Sequence, residues 1–102
     1  MIAIVGICKN EIDIIDLWLQ HHIAEGVDHF YIADASNDGT REILEANNAV
    51  TVFVDDDQFV QQSRWTNHLA SIAANDGAEW ICPTDIDEFA YANSGDTFNF
   101  IM

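Results

Sequence analysis

Trp80-Ile81-Cys82-Pro83-Thr84-Asp85-Ile86-Asp87-Glu88-Phe89 is a short apolar run that breaks off into Asp-x-Asp-Glu. The run reads as a buried strand, and carboxylates just past the carboxyl end of a strand sit where open α/β sheets bind ligands. Successive side chains of an extended segment face opposite ways, so Asp85 and Asp87 share one side while Ile86 turns into the fold. Two such acids suit one hard divalent cation. The chain carries 18 acidic and only 3 basic side chains, so a cation held there could in turn hold an anionic ligand that the bare protein repels.

Upstream, strand and helix alternate. Residues 2–8 form a continuous apolar strand. Asn10 can cap the following helix, with Asp13 three residues on in capping-box position. Ile12, Ile15, Trp18, Leu19 and Ile23 then recur at helical spacing until Gly26 ends the pattern. A second strand runs from His29 to Ala33, and the turn formers Asp34-Ala35-Ser36-Asn37-Asp38-Gly39 lead into a short helix through Ile43 and Leu44. Ala49 to Val54 is a third strand, closed by Asp55-Asp56-Asp57. A third helix covers Ser63 to about Asp76, with Trp65, Leu69, Ile72 and Ala73 on its inner face and Gly77 as its stop. Glu79 to Pro83 is the fourth strand.

This alternation predicts a Rossmann-like α/β domain: a mixed, mainly parallel sheet in the order 3-2-1-4 with helices on both faces. Strand one is central because residues 2–8 are apolar on both alternating faces. Cys8 and Cys82 then fall on neighbouring strands and could approach each other near the same edge, as free thiols. The segment Phe98 to Met102 could start a further element beside strand four. An apolar edge left there would call for a homodimer or domain-swapped assembly to cover it.

Composition narrows the function classes. At 102 residues and 49% hydrophobic, the chain reads as one domain with ample core. A net charge of −15 excludes nucleic acid and anionic membranes as natural partners, since no basic patch releases counterions. The same charge fits either adaptation to high salt or plain solubility. Ile2-Ala3-Ile4-Val5-Gly6-Ile7 is too short and wrongly flanked for a signal peptide, and no run approaches the ~20 apolar residues of a membrane span. The expectation is a soluble, cytoplasmic protein.

Mapped onto this plan, Glu11, Asp34, Asp38, Asp55, Asp56, Asp57, Asp85, Asp87 and Glu88 all follow carboxyl ends of strands. That is nine of the 18 acids on one edge of the sheet, a clustering that favours a cation-assisted site over a scattered, solvated surface.

Four motifs in order resemble the family 2-like glycosyltransferases of the GT-A fold. They are Ile7-Cys8-Lys9-Asn10-Glu11; Trp18-Leu19-Gln20-His21-His22 followed by Gly26-Val27-Asp28-His29; Asp34-Ala35-Ser36-Asn37-Asp38-Gly39-Thr40; and Asp85-Ile86-Asp87-Glu88-Phe89. The subgroup with a KNE start and a DxDEF metal motif is the most similar, and the resemblance spans residues 2 to 89. It implies a nucleotide-sugar donor, commonly a UDP-sugar, held with Mn2+ or Mg2+. Asp87 would ligate the metal directly, and Asp85 would face the ribose or reach the metal through water. Asp34 would lie near base and ribose, with Lys9, Asn10 and Glu11 lining the base pocket. Arg64 is the best phosphate-facing cation under this reading.

Plainer roles stand beside these. Asp34 and Asp38 also suit turn and cap positions, Asn10 and Glu11 a helix start, and Arg64 an ion pair. His21 and His22 point to different sides of their helix and read as satisfied or exposed histidines, and Asp55-Asp56-Asp57 reads as a solvated turn. The tryptophans read as packing before sugar platforms.

The resemblance also implies a second half, which holds the acceptor and supplies the general base of an inverting transfer. Here 13 residues follow Phe89, and none is assigned that role; the expectation is a donor-binding half. Two other readings are a non-catalytic nucleotide and divalent-metal module, and an acidic receiver-like domain regulated by Mg2+ or Ca2+. The receiver reading expects paired acids after strand one, where Lys9 and Glu11 stand instead. No glycine-rich phosphate loop follows strand one either.

Overall fold

Apolar on both faces, β1 (Ile2–Cys8) lies inside a four-stranded sheet. The computed structural model describes residues 1–54, 62–87, 89–92 and 98–101. In chain order the other elements are α1 (Ile15–Ala24), β2 (His29–Asp34), α2 (Thr40–Glu45), β3 (Val50–Val54), α3 (Gln62–Asn75), β4 (Trp80–Pro83), β5 (Phe89–Ala92) and β6 (Phe98–Ile101). The sheet order is β3-β2-β1-β4, as expected, and every pairing in it is parallel.

The pleat of β1 divides the core in two. Ile4 and Cys8 face α1 and α2, where they pack with Ile15, Trp18, Leu19, Phe30, Ile32, Leu44 and Ile86. Ala3 and Val5 face α3, where Tyr31, Ala33, Leu69 and Ala73 close the second cluster and Trp65 and Ile72 pack against it. The inner face expected for the third helix is therefore the one observed. Helices cover both faces because each face of a parallel strand is apolar and must be buried.

Three expectations are corrected. Asn10 does not cap α1, which starts at Ile15 without a side-chain cap; Asn10 is drawn into the neighbouring loop instead. Ile12 and Ile23, assigned to the helical stripe, are each 39% exposed. Phe98–Ile101 does not lie beside β4: it pairs antiparallel with Phe89–Ala92 in a separate two-stranded sheet, so the four-stranded sheet is not mixed.

Cys8 and Cys82 are free and occupy adjacent strands. Cys82 is in register with Ile4, which leaves Cys8 four positions further on, roughly 13 Å along the strand, so the expected approach of the two thiols near one edge does not occur. Among the described residues no helix is long and apolar enough to cross a membrane.

Candidate functional site

The carboxyl ends of β1, β2 and β4 define one edge, and two loop systems are built on it. The first joins the β1–α1 and β2–α2 connections. The Ala35 N–H donates to the Cys8 carbonyl at 3.0 Å, and the Asn10 N–H donates to Ser36 Oγ at 2.8 Å. In return the Asn37 N–H donates to Asn10 Oδ1 at 2.8 Å. Glu11 N–H reaches Thr40 Oγ1 at 3.1 Å, and Ile12 N–H reaches Asp38 Oδ2 at 3.3 Å. Asn10 makes its double contact from a left-handed backbone, φ 55°, a region that asparagine tolerates better than most residues.

Beneath this seam Asp34 is fully buried. Ser36 Oγ donates to its Oδ1 at 2.6 Å, and Arg41 Nε donates to its Oδ2 at 2.8 Å. Both carboxylate oxygens are thus engaged. Burial and the neighbouring Asp34 carboxylate push the Cys8 thiol up to about 12, so it stays protonated beneath the seam. Asp38 is held below the usual carboxylate range, chiefly by the Thr40 hydroxyl, with the Thr40 and Ile12 amides adding to it. The seam is a polar latch in which acids accept hydrogen bonds from backbone and side chains, the usual way such loops satisfy their N–H groups.

The second system is the exit of β4. The Thr84 N–H donates to the Val5 carbonyl at 3.0 Å, extending the strand pairing by one residue. The chain then crosses over β1 at Gly6, where a Cβ would lie only 2.8 Å from the Thr84 carbonyl oxygen. Only glycine permits that approach. Next, the Asp85 carbonyl accepts a hydrogen bond from the Trp18 indole Nε1–H at 3.1 Å, and Ile86 drops into the α1 side of the core at 3% exposure. Asp85 and Asp87 are left exposed on either side of it. The expected exposed, buried, exposed sequence is what the structure has, but Ile86 and Asp87 lie in a turn rather than in an extended segment, so strand geometry does not place the two acids on one side.

Beside this exit lies a cleft of about 250 Å3, lined by Val5, Gly6 and Ile7 from β1, by Pro83, Thr84 and Asp85 from the end of β4, and by Thr66 from α3. In the order β3-β2-β1-β4, successive strands build one way from β1 and the last is added on its other side. The cleft therefore sits at the topological switch point, where open parallel sheets leave a crevice between diverging loops.

The seven residues singled out in the sequence divide between these systems. Asn10, Glu11 and Asp34 belong to the latch, with Lys9 exposed beside it; Asp85 and Asp87 belong to the β4 exit; Arg64 is exposed in the first turn of α3. Asp55, Asp56, Asp57 and Glu88 lie outside the described residues. His22 is a satisfied core histidine: it is fully buried, its Nδ1 lies 2.8 Å from the Trp18 carbonyl, and burial lowers its pKa. No group of three His, Cys, Asp or Glu side chains among the described residues is arranged to hold a metal.

Two residues escaped the sequence reading. Arg41 pairs with Asp34 from the first turn of α2; the available signal was that one of only three cations follows the turn-rich loop closely. Trp18 was assigned to packing, yet a buried indole N–H needs an acceptor, and it takes one from the acid-bearing loop. No protein-family model matches this chain, and no match is found among curated proteins.

Proposed function

We propose that this chain is the nucleotide-sugar-binding part of a metal-dependent glycosyltransferase of the GT-A type, using Mn2+ or Mg2+ and a donor such as a UDP-sugar. One observation carries the reading: two exposed carboxylates, Asp85 and Asp87, flank a buried Ile86 beside the cleft at the switch point of a 3-2-1-4 parallel sheet. That crevice is where sheets of this kind bind nucleotides.

The donor set fits such an ion in part. Carboxylate oxygens suit Mg2+ and Mn2+, and with no three-ligand group among the described residues, most coordination positions would be left to phosphate oxygens and water, as is usual for nucleotide-bound Mg2+. When bound, the ion would neutralise charge on the diphosphate leaving group. The protein's own part is to hold Asp85 on the cleft wall, with Asp87 two residues further on, and to leave space at Gly6. Lys9 and Arg64 stand exposed as the cations available to a phosphate. Asp34 would act on the base pocket through the loop it stabilises, with Lys9, Asn10 and Glu11 nearer the ligand.

Calorimetry with UDP, ADP and GDP, each with and without Mn2+, tests the reading. Uptake of a nucleoside diphosphate only with the metal is expected. Equal binding with and without metal, or none at all, would refute it. Hydrolysis or transfer from a UDP-sugar separates an enzyme from a module that only binds.

A further inference from the structure

We infer that Trp18 is a positioning residue for the acid pair, acting through the Asp85 backbone; this rests on the functional reading above only for what the acids hold. Two like charges two residues apart repel, and the chain as a whole carries a net charge of −15. A loop carrying them would splay unless its backbone were fixed.

Trp18 is suited to fix it. Its ring is fully buried and wedged against Phe30 and His22, with centroids at 5.3 and 4.8 Å. It therefore offers the indole N–H from a rigid mount on α1. The acceptor is the carbonyl of Asp85 itself, at 3.1 Å. Immediately before that carbonyl the chain is tied to β1 through Thr84 and Val5, and immediately after it Ile86 is sunk in the same core cluster as Trp18. The backbone from Thr84 to Ile86 is held at three points, so Asp85 leaves a fixed backbone and Asp87 follows directly from an anchored residue. Such pre-set donors lose less freedom when they take up a ligand, and supporting hydrogen bonds behind a metal ligand are worth roughly 10- to 100-fold in metal affinity.

The test compares Trp18→Phe, which keeps an aromatic ring and removes the N–H, with Leu19→Ala, which loosens the same core cluster but leaves the indole hydrogen bond to the Asp85 carbonyl in place. Ile86→Ala undocks the loop from the other side and serves if Trp18→Phe does not fold. In ligand-free protein, amide exchange at Thr84 reports loop docking, and the Phe30 amide, bonded to Ala49, reports the sheet. Trp18→Phe should speed exchange at Thr84 but not at Phe30 and weaken Mn2+ binding about tenfold, well below its melting temperature. Leu19→Ala should lower the melting temperature and leave Mn2+ affinity unchanged. Wild-type protection at Thr84 in Trp18→Phe, or an equal loss of Mn2+ affinity in Leu19→Ala, would overturn the inference. A wild-type protein that takes up no Mn2+ refutes the functional reading instead, and the amide comparison then still decides whether Trp18 braces the loop.

Discussion

The two loop systems at the sheet edge use the same residue type in opposite ways. In the latch between the β1–α1 and β2–α2 connections, Asp34 and Asp38 accept hydrogen bonds from Arg41, Ser36, Thr40 and Ile12. At the β4 exit the backbone and Ile86 do the fastening, through Thr84, Gly6 and Trp18, and Asp85 and Asp87 are exposed. An acid at the carboxyl end of a strand is thus not assigned by position alone. Where side chains do the fastening, the carboxylate is taken up in the loop contacts; where the backbone does it, the acids stay at the surface.

The sharpest break in this contrast comes from Arg41→Ala. It leaves Asp34 buried with one oxygen unpartnered by a charge, and removing one partner of a buried pair costs about 3 kcal/mol or more. Arg64→Ala, at an exposed site, should stay within about 0.5 kcal/mol of wild type. Urea unfolding of the two variants makes the comparison, and a small effect of Arg41→Ala would mean that the latch does not depend on the ion pair.

Next in size is Asp87→Ala, expected to weaken Mn2+-dependent UDP binding at least about tenfold, or ~1.4 kcal/mol. Asp38→Ala should change that binding little, because its carboxylate already serves Thr40 and Ile12. Calorimetric titrations giving equal losses would point to a diffuse acidic field rather than to a site at the β4 exit.

A smaller effect follows pH. Burial lowers the pKa of His22 from 6.5, so the unfolded chain binds the proton first as pH falls. Its contribution to stability is full above pH 6.5 and declines below it, levelling once the folded form is protonated too. Protonating surface carboxylates relieves repulsion and works the other way. The readout is therefore the difference in urea stability between wild type and His22→Gln from pH 7 to 5: the variant should lose less stability than wild type.

The smallest effect belongs to Asp38. Its folded-state pKa is depressed, so its hold on the loop is present above the ordinary carboxyl range and is lost as pH falls through the depressed value. Exchange at the Ile12 amide, corrected for the intrinsic rate, should quicken over that acid window while the Thr84 amide at the β4 exit stays protected. Parallel loosening of both would show that the two loops do not respond separately.

Much of this architecture is legible in the residues. The both-faced apolarity of Ile2–Cys8 places β1 inside the sheet, glycines at 26 and 77 stop the helices that precede β2 and β4, and Trp65, Leu69, Ile72 and Ala73 mark the covered face of α3. The start of α1 was misread because Asn10 and Asp13 satisfy a local capping pattern, while in the fold Asn10 bonds to Ser36 and Asn37, 26 and 27 residues away. Local rules cannot see a competitor that far along the chain.

The sequence by itself determined the strand and helix alternation, the sheet order and the exposed–buried–exposed rhythm of Asp85, Ile86 and Asp87, because periodicity and burial of apolar faces act over a few residues. Only the tertiary structure decided which acids are spoken for. Arg41 meets Asp34 across a loop, Gly6 yields its side-chain space to the Thr84 carbonyl, and Trp18 reaches Asp85 from 67 residues away. Those assignments depend on which donors the packed sheet brings within about 3 Å of each oxygen, a condition set in space rather than along the chain.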